Sequence, residues 1–483
     1  MGKLSCVLTV GASLLAAGAA LAQTPTAAPK AAPVMGPLRP DQIRFRALYK
    51  ELVETNTSLS VGSCTDAAAK MQARLAAAGY ASSDLHPFAD PGHPKEGGLV
   101  AALPGTDPHA KPLLLLAHID VVEARRADWQ RDPFTLVEED GYFYARGAVD
   151  DKAMAATWVD TLIRLKEQHV HLKRTIKMAL TCGEETEGAF NGAEYLSTHE
   201  RSLIDAEFAL NEGGGGLLDA SGKPVMMSVE AAEKTPQNYV LTVTNPGGHS
   251  SRPVKPNAIY QMSAALLKIS DYQFPIMFND ANRAYFRAMA NIKGGAEGQA
   301  MLDLMANPAD VKAYATVDAD PSSNAVLHTT CVATEDAAGH ATNALPQRAT
   351  ANVNCRIFPG VSTEDVLQTL QKVVDDPAIS ITEPDHRGPL AKAPPLTAEV
   401  LDPIRQVSAK YYPGVPMVPI LQAGATDGVF LGAVGIPTYG VAGYFLPPDL
   451  GHIHGLNERI GVKTFYEGRD FLWDLVNVYG MQN

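Results

Sequence analysis

Leu113 to Ala117 is an unbroken apolar run, long enough for a strand and short for a helix. It predicts a strand buried on both faces. From Asp41, apolar residues return at helical spacing (Ile43, Leu48, Leu52, Val53), and a second helix is expected from Cys64 to Ala78, ended by Gly79. Asp151 to Glu167 reads as a helix, and Thr175–Thr181 and Phe208–Leu210 as strands. Strands alternating with helices predict an α/β fold around a mixed, mostly parallel sheet.

The pattern changes near Glu233. Tyr239 to Thr244 alternates as a half-exposed strand does, and Asn257 to Ile269 is helical. Val326–Thr330, Ala349–Ile357 and Ile379–Thr382 read as further strands, with a helix over Val361–Val374. Antiparallel strands with two helices predict a small α+β domain of ferredoxin-like type. The α/β pattern resumes near Leu396 and ends in a helix over Thr464–Val478. The expected division is therefore a catalytic domain built from two stretches, 41–233 and 385–483, with a smaller domain inserted between them at 234–384.

The N-terminus reads as a secretory signal over 1–22. Lys3 is followed by the apolar or small stretch Leu4–Leu21, and Ala20-Leu21-Ala22 offers a small-x-small cleavage site. A Pro/Ala-rich tether is expected over 23–40. The expectation is an exported protein, periplasmic or secreted, with no stable membrane insertion after cleavage. With 46% hydrophobic and 19% charged residues the 483-residue chain can bury real cores. A formal net charge of -13 argues against nucleic acid as a partner, which would need clustered Lys and Arg. Removing the leader takes Cys6 and leaves Cys64, Cys182, Cys331 and Cys355, an even number that permits disulfides; none lies in a C-x-x-C pair.

Five short segments carry the chemistry, each where a strand ends or a loop begins. In LLLLAHID, His118 and Asp120 lie two apart on a strand and share a face, so the acid can orient a metal-binding imidazole. ARGAVDDKA places Asp150 and Asp151 at a helix start, where carboxylates also serve as caps. In TCGEETEG, adjacent Glu184 and Glu185 point differently, so one can bind metal while the other acts as a base. LNEGGGG puts Glu212 at a strand end before four glycines, and GHIHGLNE supplies His452 and His454 ahead of Asn457 and Glu458.

HID, RGAVDDKA, GEETEG, NEGG and HGLNE stand in the order and rough spacing of a known family. From about residue 45 to 478 the chain resembles the di-zinc metallopeptidase/deacylase family of glutamate carboxypeptidase, carnosinase, acetylornithine deacetylase and succinyl-diaminopimelate desuccinylase. The resemblance implies one zinc on His118 and Glu212 and another on Glu185 and His454, with Asp150 bridging. Cobalt or manganese could substitute. It implies that Asp120 orients His118 and that Glu184 is the general base. It favours Asp150 over Asp151 because the family's bridging acid is the first of its pair, and His454 over His452 because the family pattern is H-x-x-N-E.

NPGGHSSRP resembles the family's lid motif, so His249 would assist the substrate carbonyl; in dimeric members this histidine enters the neighbouring subunit's site. Asn343 and Arg356, in NALPQRATANVNCRIFPG, match lid residues that bind the substrate carboxylate. Thr426, in GATDG, matches a substrate loop. The implied activity is hydrolysis of an amide next to a free carboxylate, on a small peptide or an N-acyl amino acid, in a homodimer joined through the inserted domain. A dipeptidase of the same family, or a non-catalytic binding protein on the same fold, are the competing readings.

Overall fold

The computed structural model describes residues 36–186, 190–383, 389–390 and 392–482. The expected leader over 1–22, and residues 23–35 of the expected tether, lie outside the described residues. Among the described residues, no helix is long and apolar enough to cross a membrane.

The apolar run becomes the strand Leu113–His118, buried along its whole length. It sits in the middle of a ten-stranded sheet, parallel to Ile176–Thr181 on one side and Phe208–Asn211 on the other. Thr438–Gly440 continues the parallel run beside Phe208–Asn211. Gly98–Leu103 and Pro224–Glu233 add antiparallel ladders, so the sheet is mixed. Helix Lys152–Glu167 packs on it, with Ala153, Trp158, Val159 and Leu162 fully buried. Helix Val462–Gly480 contributes Phe471, Leu472 and Leu475 to the same core. Parallel strands end together, which brings the chain segments after His118, Thr181 and Asn211 to one edge.

A second sheet has four antiparallel strands in the order Thr330–Ala338, Arg348–Ile357, Thr235–Thr244, Ile379–Thr382. Thr235–Thr244 and Arg348–Ile357 alternate buried and half-exposed residues with period two. The buried face packs on helices Ala258–Asp271 and Thr363–Val374 in a separate core containing Tyr239, Leu241, Val353 and Leu370. Asn257 and Ser362 cap the two helices with their side-chain oxygens. The chain order β-α-β-β-α-β and this strand order make the sheet ferredoxin-like.

Two details differ from the sequence-based expectation. Four helices (Asp280–Lys293, Gly295–Ala306, Val311–Asp318, Pro321–Ala325) lie between the first helix and second strand of the small sheet. Their Phe286, Met301, Leu304 and Val317 join the core of the large sheet, not that of the small one. The strand expected over Val326–Thr330 begins instead at Thr330 and runs to Ala338. Val326 and Leu327 close helical turns onto Ser323 and Asn324, so this apolar pair is buried by a turn.

Disulfides join Cys64 to Cys182 and Cys331 to Cys355. The first ties the start of helix Cys64–Ala77 to the residue before Gly183; the second crosses two neighbouring strands of the small sheet.

Candidate metal centre

His118 ends its strand 1% exposed, with Nε2 3.0 Å from Asp150 Oδ1 and 3.6 Å from Glu212 Oε1. On the far side of Asp150, Oδ2 lies 3.0 Å from His454 Nε2, and that same nitrogen lies 2.9 Å from Glu185 Oε2. The two oxygens of Asp150 thus face two separate sets, His118 with Glu212 and His454 with Glu185. His452 turns elsewhere, 3.4 Å from Asp449 and 3.1 Å from the Leu456 carbonyl.

Several of these residues are held by neighbours. Asp120 Oδ1 is 3.5 Å from His118 Nδ1, and its Oδ2 accepts the backbone N–H of Glu185 at 3.0 Å. One acid therefore couples two strand ends. Glu458 is fully buried and accepts four hydrogen bonds: Arg146 Nη1 (2.8 Å) and the backbone N–H groups of Gly147 (3.0 Å), Val149 (2.8 Å) and Asp150 (3.2 Å). Arg146 also donates to the carbonyls of His454 and Gly455. The Arg146–Glu458 pair thereby fixes the loop of Asp150 against the loop of His454. The peptide bond between Asp150 and Asp151 is cis. Gly183 precedes the two glutamates with φ +94°, and a Cβ there would fall 1.8 Å from the Phe190 carbonyl, so only glycine fits.

Asp151, Glu184, Glu185 and Glu212 are all raised by burial, which disfavours their charged forms. Burial would raise Asp150 too, but hydrogen bonds from His118 and His454 outweigh it and hold it below the usual carboxylate range. His454 is raised to about 10, first by its hydrogen bond to Asp150 and then by that to Glu185. His118 is also raised: burial opposes its charge, and Glu212, Asp120 and Asp150 outweigh that. Five carboxylates and two imidazoles converge here. His118 and Asp150 can also group with Glu185, and His118 and Asp151 with Glu212, around single points. Imidazole nitrogen and carboxylate oxygen suit zinc, cobalt or manganese, and the buried Asp151 Oδ2 has no hydrogen-bond partner among the described residues. The residues present fit a pair of divalent ions.

The residues expected from the inserted domain stand apart from this cluster. His249 is exposed on a short strand paired with Ala344–Leu345, and its Nδ1 accepts from the backbone N–H of Ser251 at 3.1 Å. Asn343 is beside it, its carbonyl accepting from Ser250 N–H. Arg356 lies opposite Pro236 and Thr330 on the face of the small sheet away from its helices. Thr426 is buried. Its hydroxyl donates to Glu233 and accepts from Asn211 and Gly428, so the structure gives it a loop-holding place.

Three residues had no role assigned from sequence: Asp427, Glu458 and Arg146. Asp427 accepts from Thr181 (2.6 Å) and Asn191 (2.8 Å), tying the GATDG loop to the strand that ends at the glutamates. An acid inside a glycine-flanked T-D-G was a visible signal for it. Arg146 stands four residues before Asp150, but only the fold brings it to Glu458.

Residues 114–477 match the peptidase family M20/M25/M40. The chain belongs to this family. It is a hydrolase acting on peptide or amide bonds, and the family is metal-dependent. Human N-fatty-acyl-amino acid synthase/hydrolase PM20D1 (Homo sapiens) is 29% identical over 383 residues, which is 77% of this chain and 75% of that protein. An M20 family metallo-carboxypeptidase, Sso-CP2 from Sulfolobus solfataricus, shares the fold with a TM-score of 0.70 at 18% identity, covering 92% of this chain and all 100% of that one. YXEP from Bacillus subtilis, a dinuclear metal binding peptidase, shares it with a TM-score of 0.58 at 12% identity over 91% of this chain and 98% of its own.

Proposed function

We propose that this protein is an exported di-metal hydrolase that cleaves an amide bond next to a free carboxylate, as a carboxypeptidase or N-acyl-amino-acid amidohydrolase. The observation that carries the reading is Asp150, whose two oxygens face His118 with Glu212 on one side and His454 with Glu185 on the other. His118, Glu212, Glu185, His454 and the bridging Asp150 would hold two divalent ions, zinc by preference. Such ions, when bound, polarise a carbonyl and lower the pKa of water.

The rest of the chemistry belongs to side chains. Glu184 follows the same strand end as Glu185, and His118, Glu185 and Asp150 all bear on its charge. Its carboxylate takes the proton of the attacking water and delivers it to the leaving amine nitrogen. Asp120 keeps His118 oriented. A backbone N–H donates to His249 Nδ1, so the neutral ring carries its proton on Nε2. That proton is free to donate to the substrate oxyanion. Arg356, with Asn343, binds the free carboxylate.

His249 reaches a partner's site in a homodimer formed through the inserted domain. Support comes from Tyr260 (71% exposed) and Leu267 (65%) on helix Ala258–Asp271 and from Val332 (62%) on the open edge strand Thr330–Ala338. Export rests on the N-terminal apolar leader in the sequence, and two disulfides suit an oxidising compartment.

The test is the metal content of the purified mature chain and its action on three substrates: an N-acyl amino acid, its carboxyl-blocked analogue and an unblocked dipeptide. Two metal equivalents and cleavage of the free-carboxylate N-acyl substrate are expected. Cleavage restricted to unblocked dipeptides would replace this reading with a dipeptidase, and metal binding without any cleavage would leave a binding protein.

A further inference from the structure

A cavity of about 180 Å³ lies where the large sheet gives way to the small one, and no step above uses it. Glu230, Ala232 and Glu233 line it from the end of strand Pro224–Glu233. Lys392 to Pro395, on the chain returning from the small sheet, line it opposite. Gly428 and Gly432, on helix Gly428–Ala433, close a third side.

Two of these groups are carboxylates with little to answer them. Glu230 is 6% exposed, and its Oε2 is buried without a hydrogen-bond partner among the described residues. Glu233 is engaged through Oε2 alone, by the Thr426 N–H and hydroxyl. Lys392 is an exposed residue on the lining, one positive group against two acids among the described lining residues. Burial raises Glu230, with the charges of Glu233 and Glu184 adding to it, and burial brings Glu233 to about 8 against the hydrogen bonds from Thr426. The remaining walls are Ala232, Ala393, Pro394, Pro395 and Pro437, which suit an alkyl stem behind a charged head.

We propose that this cavity binds an alkyl-ammonium or alkyl-guanidinium group, with Glu230 and Glu233 as its anionic partners. Glu230 also packs against the backbone that carries Glu212. A Cβ on Gly213, the residue after Glu212, would fall 1.8 Å from Glu230 Oε2, and one on Gly440 would sit between Glu212 O and Glu230 Cβ. A basic group on the substrate is therefore the occupant the position favours. In that form the inference rests on the amide-hydrolase reading; the cavity's affinity for a cation does not.

The experiment uses the metal-loaded full chain and calorimetry with n-butylguanidinium and its neutral isostere n-butylurea. The guanidinium should bind at least about tenfold more tightly than the urea, because a buried acid is left unpaired without it. Glu230→Gln should remove that difference. Gly432→Leu should remove it independently, because Gly432 lines the cavity and a Cβ there meets nothing within 4 Å. Equal binding of the two probes, or a preference that survives Gly432→Leu, overturns the site.

A second arm compares N-acyl amino acids whose acyl chains end in guanidinium or in urea. A preference of about tenfold in kcat/KM that Gly432→Leu abolishes, with the neutral substrate unchanged, assigns the cavity to the substrate. Butylguanidinium binding with no such preference assigns it to a free organic cation. Failure to cleave any amide would sink the hydrolase reading and leave the calorimetric result standing.

Discussion

The edge of the large sheet and the loop edge of the small sheet bring equally polar residues to the protein in opposite ways. At the large sheet, His118, Asp120 and Glu458 are almost wholly buried and tied to the elements around them. At the small sheet, His249 and Asn343 are exposed, and their hydrogen bonds run to their own loop. Burial of this many acids is costly unless a cation answers them, so the first region has the character of a preorganised metal cluster. The second has the character of a surface that acts when something is brought against it. That contrast underlies the proposal that the active site is assembled from two regions and two chains.

The strongest way to break the comparison is at the buried half. Glu184→Gln should lower kcat by about 10²–10⁴ while metal content by mass spectrometry is unchanged. Asp150→Ala should lose both metal and activity. A Glu184→Gln protein with native turnover would end the base assignment.

The exposed half is tested by His249→Ala, expected to cost about 10²–10³ in kcat with metal retained. Co-expressed with Glu184→Gln, it should recover roughly a quarter of native activity, since random pairing makes about half the dimers mixed and each mixed dimer has one complete site. No recovery in tag-verified mixed dimers would place His249 in its own chain's site.

Arg356→Ala sharpens the contrast further. It should lower kcat/KM for free-carboxylate substrates by roughly 30-fold, about 2 kcal/mol, and leave carboxyl-blocked analogues almost unaffected. Equal losses on both would make Arg356 structural. A smaller effect is expected at the support of the metal loops: Glu458→Gln should weaken metal affinity by about tenfold in a chelator competition, because it loosens the Asp150 and His454 loops together.

The smallest catalytic effects are expected at the disulfides. Cys64–Cys182 closes 118 residues and Cys331–Cys355 closes 24. On chain entropy, losing the first should cost about 1 kcal/mol more stability than losing the second, read as a larger drop in Tm. Equal drops would mean that native contacts already restrain the longer loop.

The chain's pattern showed the two kinds of sheet because periodicity is local. Leu113–Ala117 read as a doubly buried strand and Tyr239–Thr244 as an alternating one, and both form strands with those burial patterns. The family resemblance of the motifs implied His118, Asp150, Glu185, Glu212 and His454 as one set, where residue types alone left Asp151 and His452 open. The helices over Asp280–Ala325 were not assigned, because their apolar faces answer a surface of the large sheet distant in sequence. The apolar pair Val326-Leu327 read as a strand because a buried turn and a buried strand share one composition.

The sequence by itself showed where residues of metal-binding type cluster in motifs, that two kinds of sheet are present, and the family to which the chain is similar. Only the tertiary structure decided that Asp150 faces both histidines, that Glu458 holds the Val149 N–H from 309 residues away in the chain, and that Thr426 holds Glu233. It alone made the acid-lined cavity from three segments distant in sequence. Ligand type is a property of single residues and their spacing, whereas pairing between buried charges depends on through-space distance, which chain order does not encode.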